Sequence, residues 1–154
     1  MARQLTAKGE KFSALTAEVF RTKILMLQGA ESLAQSVGLT SAKWQILGVL
    51  ARGPAPVASV ARLVGLTRQS VQQTADVMEA DGLIAYRENP HHRRAQLMEP
   101  TRAALEALAK LRPREIDFAN LMGQPHTLEA LDTALAVLRE ARQALEAGIR
   151  ERTR

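Results

Sequence analysis

The apolar positions of this chain recur at helical spacing over most of its length. Between Gly9 and Val37, seven large apolar side chains follow one another at near-helical spacing, and Gly38 comes next, a residue type that commonly ends helices. This pattern predicts a long first helix. Thr40 is placed to cap a second helix, which continues to about Leu50. Because that second helix is apolar on most sides, we expect it to be buried.

The next segment predicts two helices joined by a tight turn. A short helix with one apolar face begins near Val57 and ends at Gly65. Thr67 is positioned to cap the following helix, which should run to Asp81 before Gly82 stops it in the left-handed conformation. This order of elements is that of a helix-turn-helix.

The second of these helices carries polar side chains opposite an apolar stripe of Val71, Ala75 and Met78. Its first half has no carboxylate, whereas three carboxylates crowd its second half, so only the first half would be tolerated near phosphates. Glutamine side chains can hydrogen-bond an adenine edge in the major groove of DNA, which admits a helix. We therefore expect this helix to read base pairs. Its candidate contacts are Thr67, Arg68, Gln69, Ser70, Gln72 and Gln73.

Beyond Gly82 the pattern changes to that of two short strands. Leu83–Glu88 and Ala95–Glu99 are predicted strands, and residues 89–94 are the hairpin tip between them. A two-stranded ribbon after a helix-turn-helix is a wing. The tip offers an arginine to the narrow minor groove, where the negative potential of DNA is enhanced, and Arg87 is placed to support it from a phosphate. The candidate contacts of the wing are Arg87, His92, Arg93 and Arg94.

The last third of the chain predicts two more helices. Thr101 should cap a helix that Pro113 interrupts, and a proline at a first helical position, Pro125, should open the last helix. The apolar residues of the last helix repeat at spacings of three and four, and they are Leu128, Leu131, Leu135, Leu138, Leu145 and Ile149. Together with the first helix they expose more apolar surface than a monomer should tolerate, so we expect an obligate homodimer.

The distribution of charge supports this division of the chain. The formal net charge is +5, and all of the excess lies before residue 103, because residues 103–154 hold eight basic and eight acidic side chains. An excess of positive charge in the first two thirds is expected if that part meets a polyanion. There is no cysteine, and no apolar run approaches the roughly 20 residues that span a bilayer. We therefore expect a cytoplasmic protein without membrane contact.

Residues for catalysis or metal binding are not recognisable in the sequence. His91 and His92 are adjacent and His126 is remote, so neither the spacing of zinc enzymes nor a cysteine partner is present. We expect no cofactor, no metal and no enzymatic activity. Small-molecule pockets are largely apolar, and Phe20, Trp44 and Leu47 are the residues that we predict to line one.

The motifs between residues 39 and 101 together resemble those of the MarR family of transcriptional regulators. They are Leu39-Thr40-Ser41-Ala42-Lys43-Trp44, the runs 60–71 and 78–84, the wing segment 89–95 and the exit 98–101. The resemblance implies a homodimer whose first and last helices interlock and whose two lobes read a pseudo-palindrome. It also implies that Arg94 is the minor-groove arginine. Three positions depart from the family's pattern: His92 replaces an aspartate that braces the wing arginine, Pro100 a leucine and Ala104 a glycine.

These expectations combine into one prediction of architecture and function. The fold is mainly α with a small antiparallel β-wing, a single domain in which residues 39–100 form the winged helix-turn-helix lobe and residues 1–37 and 101–154 form dimerisation helices. The predicted function is a sequence-specific regulator that binds double-stranded DNA, a homodimeric repressor released by a small aromatic ligand. The alternative is a helical dimeric interaction protein of the same fold with weak or lost operator binding, and an enzyme ranks third.

Overall fold

The computed structural model describes residues 4–90 and 95–152 of the chain. The chain divides into two compact units, the first reaching Arg114 and the second beginning at Glu115. The elements in chain order are α1 (Ala7–Gln35), α2 (Ser41–Leu50), α3 (Val57–Val64), α4 (Arg68–Ala80), β1 (Ile84–Arg87), β2 (Leu97–Pro100), α5 (Arg102–Gly123) and α6 (Leu128–Arg152). The predicted fold class, mainly helical with a small antiparallel sheet, is confirmed.

Threonine caps set the starts of three helices where the sequence predicts them. The hydroxyl of Thr40 accepts a hydrogen bond from the backbone N–H of Lys43 at 3.3 Å, and that of Thr67 accepts from Ser70 at 3.1 Å. Thr101 accepts in the same way from Ala104 at 3.3 Å. Each bond satisfies one of the amide groups that the first turn of a helix leaves without a partner.

The start of the last helix differs from its prediction. Pro125 does not open α6; it lies in the turn after α5, and α6 begins at Leu128. The reason is a threonine cap that was overlooked, because the hydroxyl of Thr127 accepts from the backbone N–H of Ala130 at 3.2 Å. Pro113 lies inside α5, which continues past it to Gly123 as one helix.

The core of the first unit lies between α2, α3, α4 and the two strands. As expected, α2 is buried, with Ile46, Leu47 and Leu50 almost fully inaccessible to solvent. The predicted stripe of α4 is also confirmed: Val71, Ala75 and Met78 are all fully buried. Burying a large apolar side chain contributes about 1.5–3 kcal/mol to folding, so this stripe fixes which face of α4 points inward.

The two strands form an antiparallel ladder that is anchored to the helical core. Tyr86 pairs with Met98 in the register, and Met98 is fully buried. Ala55, in the loop before α3, forms an additional bridge to Met98, with N···O distances of 3.2 and 2.9 Å between their backbones. No pattern in the sequence predicts this bridge. It attaches the base of the wing to the helix-turn-helix.

In the second unit, α6 presents its apolar stripe to solvent. Leu128, Leu145 and Ile149 are 83, 62 and 65% exposed. Arg142, which interrupts the stripe between Leu138 and Leu145, forms an ion pair with Glu146 at 3.8 Å. Within residues 4–90 and 95–152, no helix is both long enough and apolar enough to cross a membrane.

Candidate nucleic-acid interface

The turn between α3 and α4 is built by one glycine and one threonine. Gly65 adopts the left-handed conformation with φ 69° and ψ 30°, and its backbone N–H donates to the carbonyl of Ala61. The next residue, Leu66, also donates to Ala61, at 3.1 Å. The turn therefore takes only three residues, 65–67, and the capped first turn of α4 begins directly after Thr67.

The first two turns of α4 expose the side chains that the sequence analysis singles out. Because Val71 and Met78 are buried, the opposite side of the helix faces solvent. Four long polar residues line one shallow depression there, namely Arg68, Gln69, Gln72 and Gln73. Thr67 is exposed, and Ser70 is half-buried with its backbone amide held by the Thr67 cap. Four of the six predicted contacts of this helix therefore share one accessible surface, and Thr67 and Ser70 lie outside its lining.

Carboxylates of the second half of α4 are used within the protein. Asp81 forms an ion pair with Lys43 of α2, with 2.5 Å between Nζ and Oδ2, and the lysine side chain is only 16% exposed. Asp76 accepts a hydrogen bond from the Nε2 of Gln72 at 2.7 Å. The Asp81 ion pair thus ties the end of α4 to α2, the Asp76 bond lies within α4 itself, and the first half of the helix has no carboxylate.

Tyr86 of β1 contacts a candidate site residue, although the sequence does not single it out as part of the site. Its hydroxyl accepts a hydrogen bond from the Nε2 of Gln72 at 3.0 Å, which links the wing to the exposed face of α4. Burial raises the pKa of the Tyr86 hydroxyl, the nearby carboxylates of Asp76 and Glu79 add to that increase, and the bond from Gln72 opposes it. A signal in the sequence was available, since Tyr86 is the only tyrosine and stands in a strand beside the proposed reading helix.

A polar cavity of about 510 Å³ lies between α4 and the wing. Its charged and hydrogen-bonding lining comprises Arg68, Gln72, Asp76, Glu79, Tyr86 and Gln96. The lining of this cavity carries a positive charge on Arg68 and negative charges on Asp76 and Glu79. Within the part of the chain that the structure describes, no group of three or more histidine, aspartate or glutamate side chains is arranged to hold a metal ion.

Arg87, the predicted phosphate contact of the wing, is paired with an acidic side chain. Its Nε lies 2.6 Å from Oε2 of Glu99 on β2, and the Arg87 side chain remains 55% exposed. Ala85 is the partner of Glu99 in the register, so the ion pair crosses the ladder diagonally. The guanidinium is therefore oriented by the wing and still accessible. His92, Arg93 and Arg94 lie outside the described residues.

The three residues predicted to line an apolar ligand pocket have different surroundings. Leu47 is fully buried in the core, Trp44 packs against that core while partly exposed, and Phe20 of α1 is 64% exposed. The polar cavity beside α4 is lined by other residues. The apolar pocket stays a prediction.

Comparison with known proteins assigns the family. A family model described as MarR family matches residues 37–95 of this chain. An uncharacterized protein of Mycobacterium tuberculosis is 32% identical over 138 residues, which cover 90% of this chain and 96% of that protein. An uncharacterized protein of Mycobacterium bovis matches to the same extent. The chain belongs to the MarR family.

Solved structures of MarR-family regulators show the same fold at low sequence identity. AbsC, a MarR-family transcriptional regulator from Streptomyces coelicolor, has a TM-score of 0.78 and 20% identity, covering 95% of this chain and 99% of its own. Sco3205, a second MarR-family regulator of that organism, was solved in complex with DNA. It has a TM-score of 0.78 and 18% identity, covering 94% of this chain and 92% of its own. This chain therefore has the same fold as these solved MarR-family transcriptional regulators.

Two of the departures from the MarR-family pattern lie inside the described structure. Pro100 is the last residue of β2 and pairs with Ile84, a strand end where a residue without an N–H is tolerated. Ala104 is fully buried in the first turn of α5, and its backbone N–H donates to the Thr101 cap. Both residues therefore fit the local structure. The third departure, His92, lies outside the described residues.

Proposed function

We propose that this protein is a sequence-specific transcriptional regulator that binds double-stranded DNA. The observation that carries the proposal is the exposed face of α4, where Arg68, Gln69, Gln72 and Gln73 line one surface of a helix that is capped, rigidly packed and free of carboxylates in its first half. A helix with long amide side chains on its accessible face suits the major groove of DNA. The proposal assigns the protein no catalytic role, and it places the protein in the cytoplasm, where bacterial DNA lies.

Related structures support this choice of partner. Sco3205 and the Mycobacterium tuberculosis regulator MosR, which has a TM-score of 0.69 and 20% identity, were each solved with DNA. We propose that α4 enters the major groove, which admits a helix, and that the wing reaches the adjacent minor groove through Arg94. Arg87 then meets a phosphate from its position on β1, where Glu99 holds the guanidinium in one orientation.

We also propose that the working form is a homodimer on a pseudo-palindromic operator. On α1, Phe20, Ile24 and Leu25 are 64, 58 and 67% exposed, and α6 carries its own exposed stripe. Exposed apolar surface of this extent is typical of a face that meets another chain. A two-fold dimer presents two reading helices to half-sites about 34–36 Å apart. Light scattering at micromolar concentration tests this directly, because a monodisperse monomer would exclude the dimer.

The regulatory output that we propose is repression, released by a small aromatic ligand near Phe20, Trp44 and Leu47. Trp44 is the only tryptophan of the chain, so a ligand that binds beside it should change the intrinsic fluorescence. Titration of small aromatic acids and phenols against the protein, with and without operator DNA, tests the site. A ligand that releases DNA without changing the tryptophan emission would place the effector site elsewhere.

The experiment that tests DNA binding begins with selection of duplexes from a random pool by the purified protein. Fluorescence anisotropy then measures affinity for the selected duplex and an unrelated one at two salt concentrations, because phosphate contacts weaken steeply with salt. Alanine at Gln69 or Gln73 should cost about 1–3 kcal/mol on the selected duplex and relax specificity at one position. The matched control is Gln124→Ala, an exposed glutamine in the turn before α6.

Two outcomes of this experiment would separate the proposal from its alternative. If the wild type enriches one sequence and the Gln124→Ala variant still binds that sequence, the result supports a regulator. A folded dimer that enriches no duplex and binds none at low salt would instead favour the interaction protein of the same fold.

A further inference from the structure

The side-chain amide of Gln72 is held from two sides in the absence of DNA. Its Nε2 donates to Oδ1 of Asp76 at 2.7 Å and to the hydroxyl of Tyr86 at 3.0 Å. A glutamine amide nitrogen has two N–H donors and no acceptor capacity, so both donors are used. Within residues 4–90 and 95–152, Oε1 of Gln72 has no hydrogen-bond partner, although the residue is exposed on the reading face of α4.

The chemistry of the neighbours fixes the orientation of this amide. If the group were rotated by half a turn, Oε1 would face the Asp76 carboxylate, and two acceptors would meet at hydrogen-bond distance without a proton between them. Tyr86 does not move freely either, since its ring packs against the core and its backbone pairs with Met98. The carboxylate therefore selects the orientation, and the wing strand fixes the second anchor.

We propose that Asp76 and Tyr86 are positioning residues for sequence reading, which hold Gln72 so that it offers only the acceptor Oε1 to DNA. This inference rests on the proposed function. On the strand that it faces, Gln72 then selects a base that carries an exocyclic amino donor in the major groove, adenine through N6 or cytosine through N4. It disfavours guanine and thymine, whose major-groove edges present only acceptors.

This reading mode differs from that of an unrestrained glutamine. A free glutamine binds adenine with two hydrogen bonds, and it can also rotate to donate to guanine or thymine. Gln69 and Gln73 have no side-chain hydrogen bond among the described residues, so they retain both options. Of these three glutamines, only Gln72 should bind adenine and cytosine equally well.

The test measures base preference at one position of the selected operator. The Gln72→Ala variant identifies that position, because the base preference should disappear at that position of the operator and at no other. Four duplexes that differ only at this position are then titrated against the wild type and the Tyr86→Phe/Asp76→Ala double variant. We expect the wild type to bind adenine and cytosine about tenfold more tightly than guanine and thymine. In the double variant the preference for cytosine over guanine and thymine should fall to about twofold, since the amide can rotate to donate.

The design separates positioning from general effects on charge and stability. Removing the Asp76 carboxylate strengthens binding to all four duplexes alike, because one repulsion of phosphates is lost, so the ratio between duplexes is unaffected. Tyr86→Phe keeps the ring that packs in the core. Gln124→Ala is the matched control, because it removes an exposed glutamine that is not among the proposed DNA contacts, and it should leave the ratio at the Gln72 position unchanged.

A measurement without DNA tests the positioning itself. In NMR spectra of the free protein, the two Nε2 protons of Gln72 should shift in the Tyr86→Phe and Asp76→Ala single variants and remain unchanged in Gln73→Ala. Unshifted protons, a wild-type preference for guanine or thymine, or an unchanged ratio in the double variant would each overturn the inference while leaving the proposed function intact. Failure of the wild type to bind any duplex specifically would overturn both.

Discussion

Alanine at Gly65 should destabilise the protein through the backbone alone. Gly65 ends α3 with φ 69° and ψ 30°, and the same residue starts the turn that aims α4. A β-carbon built at this position meets nothing within 4 Å, so the substitution creates no clash. The cost is therefore conformational, since L-residues other than glycine rarely adopt this region.

The magnitude follows from two opposing terms. Holding an alanine in the left-handed region costs about 1–2 kcal/mol. Alanine also restricts the unfolded chain more than glycine does, which stabilises the folded state by about 0.4–1 kcal/mol. The cost of the strained conformation is larger than this gain. We expect a net loss of about 1 kcal/mol in the free energy of unfolding, or roughly 2–4 °C in Tm for a protein of this size.

Gly48→Ala is the matched control for this prediction. Gly48 lies inside α2, it is exposed, its φ is not positive, and an added β-carbon again meets nothing within 4 Å. Alanine is favoured over glycine inside a helix by about 0.8–1 kcal/mol. The same chemical change should therefore stabilise the protein here.

Urea and thermal unfolding measure whether each substitution lowers or raises the free energy of unfolding. The protomer concentration must be equal in all samples, because the proposed dimerisation would make the apparent stability depend on it. A Gly65→Ala variant as stable as wild type, or a shift of both variants in the same direction, would refute the assignment of the left-handed turn.

Three further predictions address the cap, the pH dependence and the wing. Thr67→Ala removes the acceptor for the backbone N–H of Ser70, so urea unfolding should show a loss of about 1 kcal/mol. Glu31 accepts from the backbone N–H of Ser41 at 2.7 Å, and this bond lowers the pKa of the Glu31 carboxyl from its usual 4.5. The stability that Glu31 contributes over a Glu31→Gln variant should be fully present above pH 4.5 and disappear as the pH falls through the lowered value, which acid titrations of unfolding will check. Arg94→Ala should weaken binding to the selected duplex and to unrelated AT-rich duplexes by similar factors and make the salt dependence shallower; unchanged anisotropy titrations would exclude the wing from the interface.

The local features of the fold could be predicted from the sequence because each depends on a few neighbouring residues. The caps at Thr40, Thr67 and Thr101 require only a hydroxyl three residues before a free amide. The stop at Gly82 requires only a residue that tolerates positive φ, and Gly82 has φ 69°. The one misplaced start, at Pro125, shows the limit of such rules, because a proline and a threonine compete as start signals and only the threonine forms the hydrogen bond to Ala130.

The contacts that orient the candidate interface could not be predicted, because they join residues distant in the chain. The bond from Gln72 to Tyr86 spans fourteen residues and depends on how the wing leans on α4. The ion pair between Arg87 and Glu99 depends on the strand register, and a shift of one residue would place Glu99 on the other face. Periodicity predicts which face of an element is buried, but it does not predict which exposed polar groups of different elements contact each other.

The charge pattern of α4 acquires a physical explanation once these contacts are known. Carboxylates near DNA repel its phosphates, yet α4 carries Asp76 and caps its end with Asp81. Each of the two has a partner inside the protein: Asp76 holds Gln72, and Asp81 pairs with Lys43 of α2. Asp81 therefore ties the end of α4 to α2 and Asp76 accepts from Gln72 within the helix, while Glu79 is exposed. The half without carboxylates is also exposed. A helix with its charges in the reverse order would keep the same buried stripe but would turn its carboxylates toward the DNA.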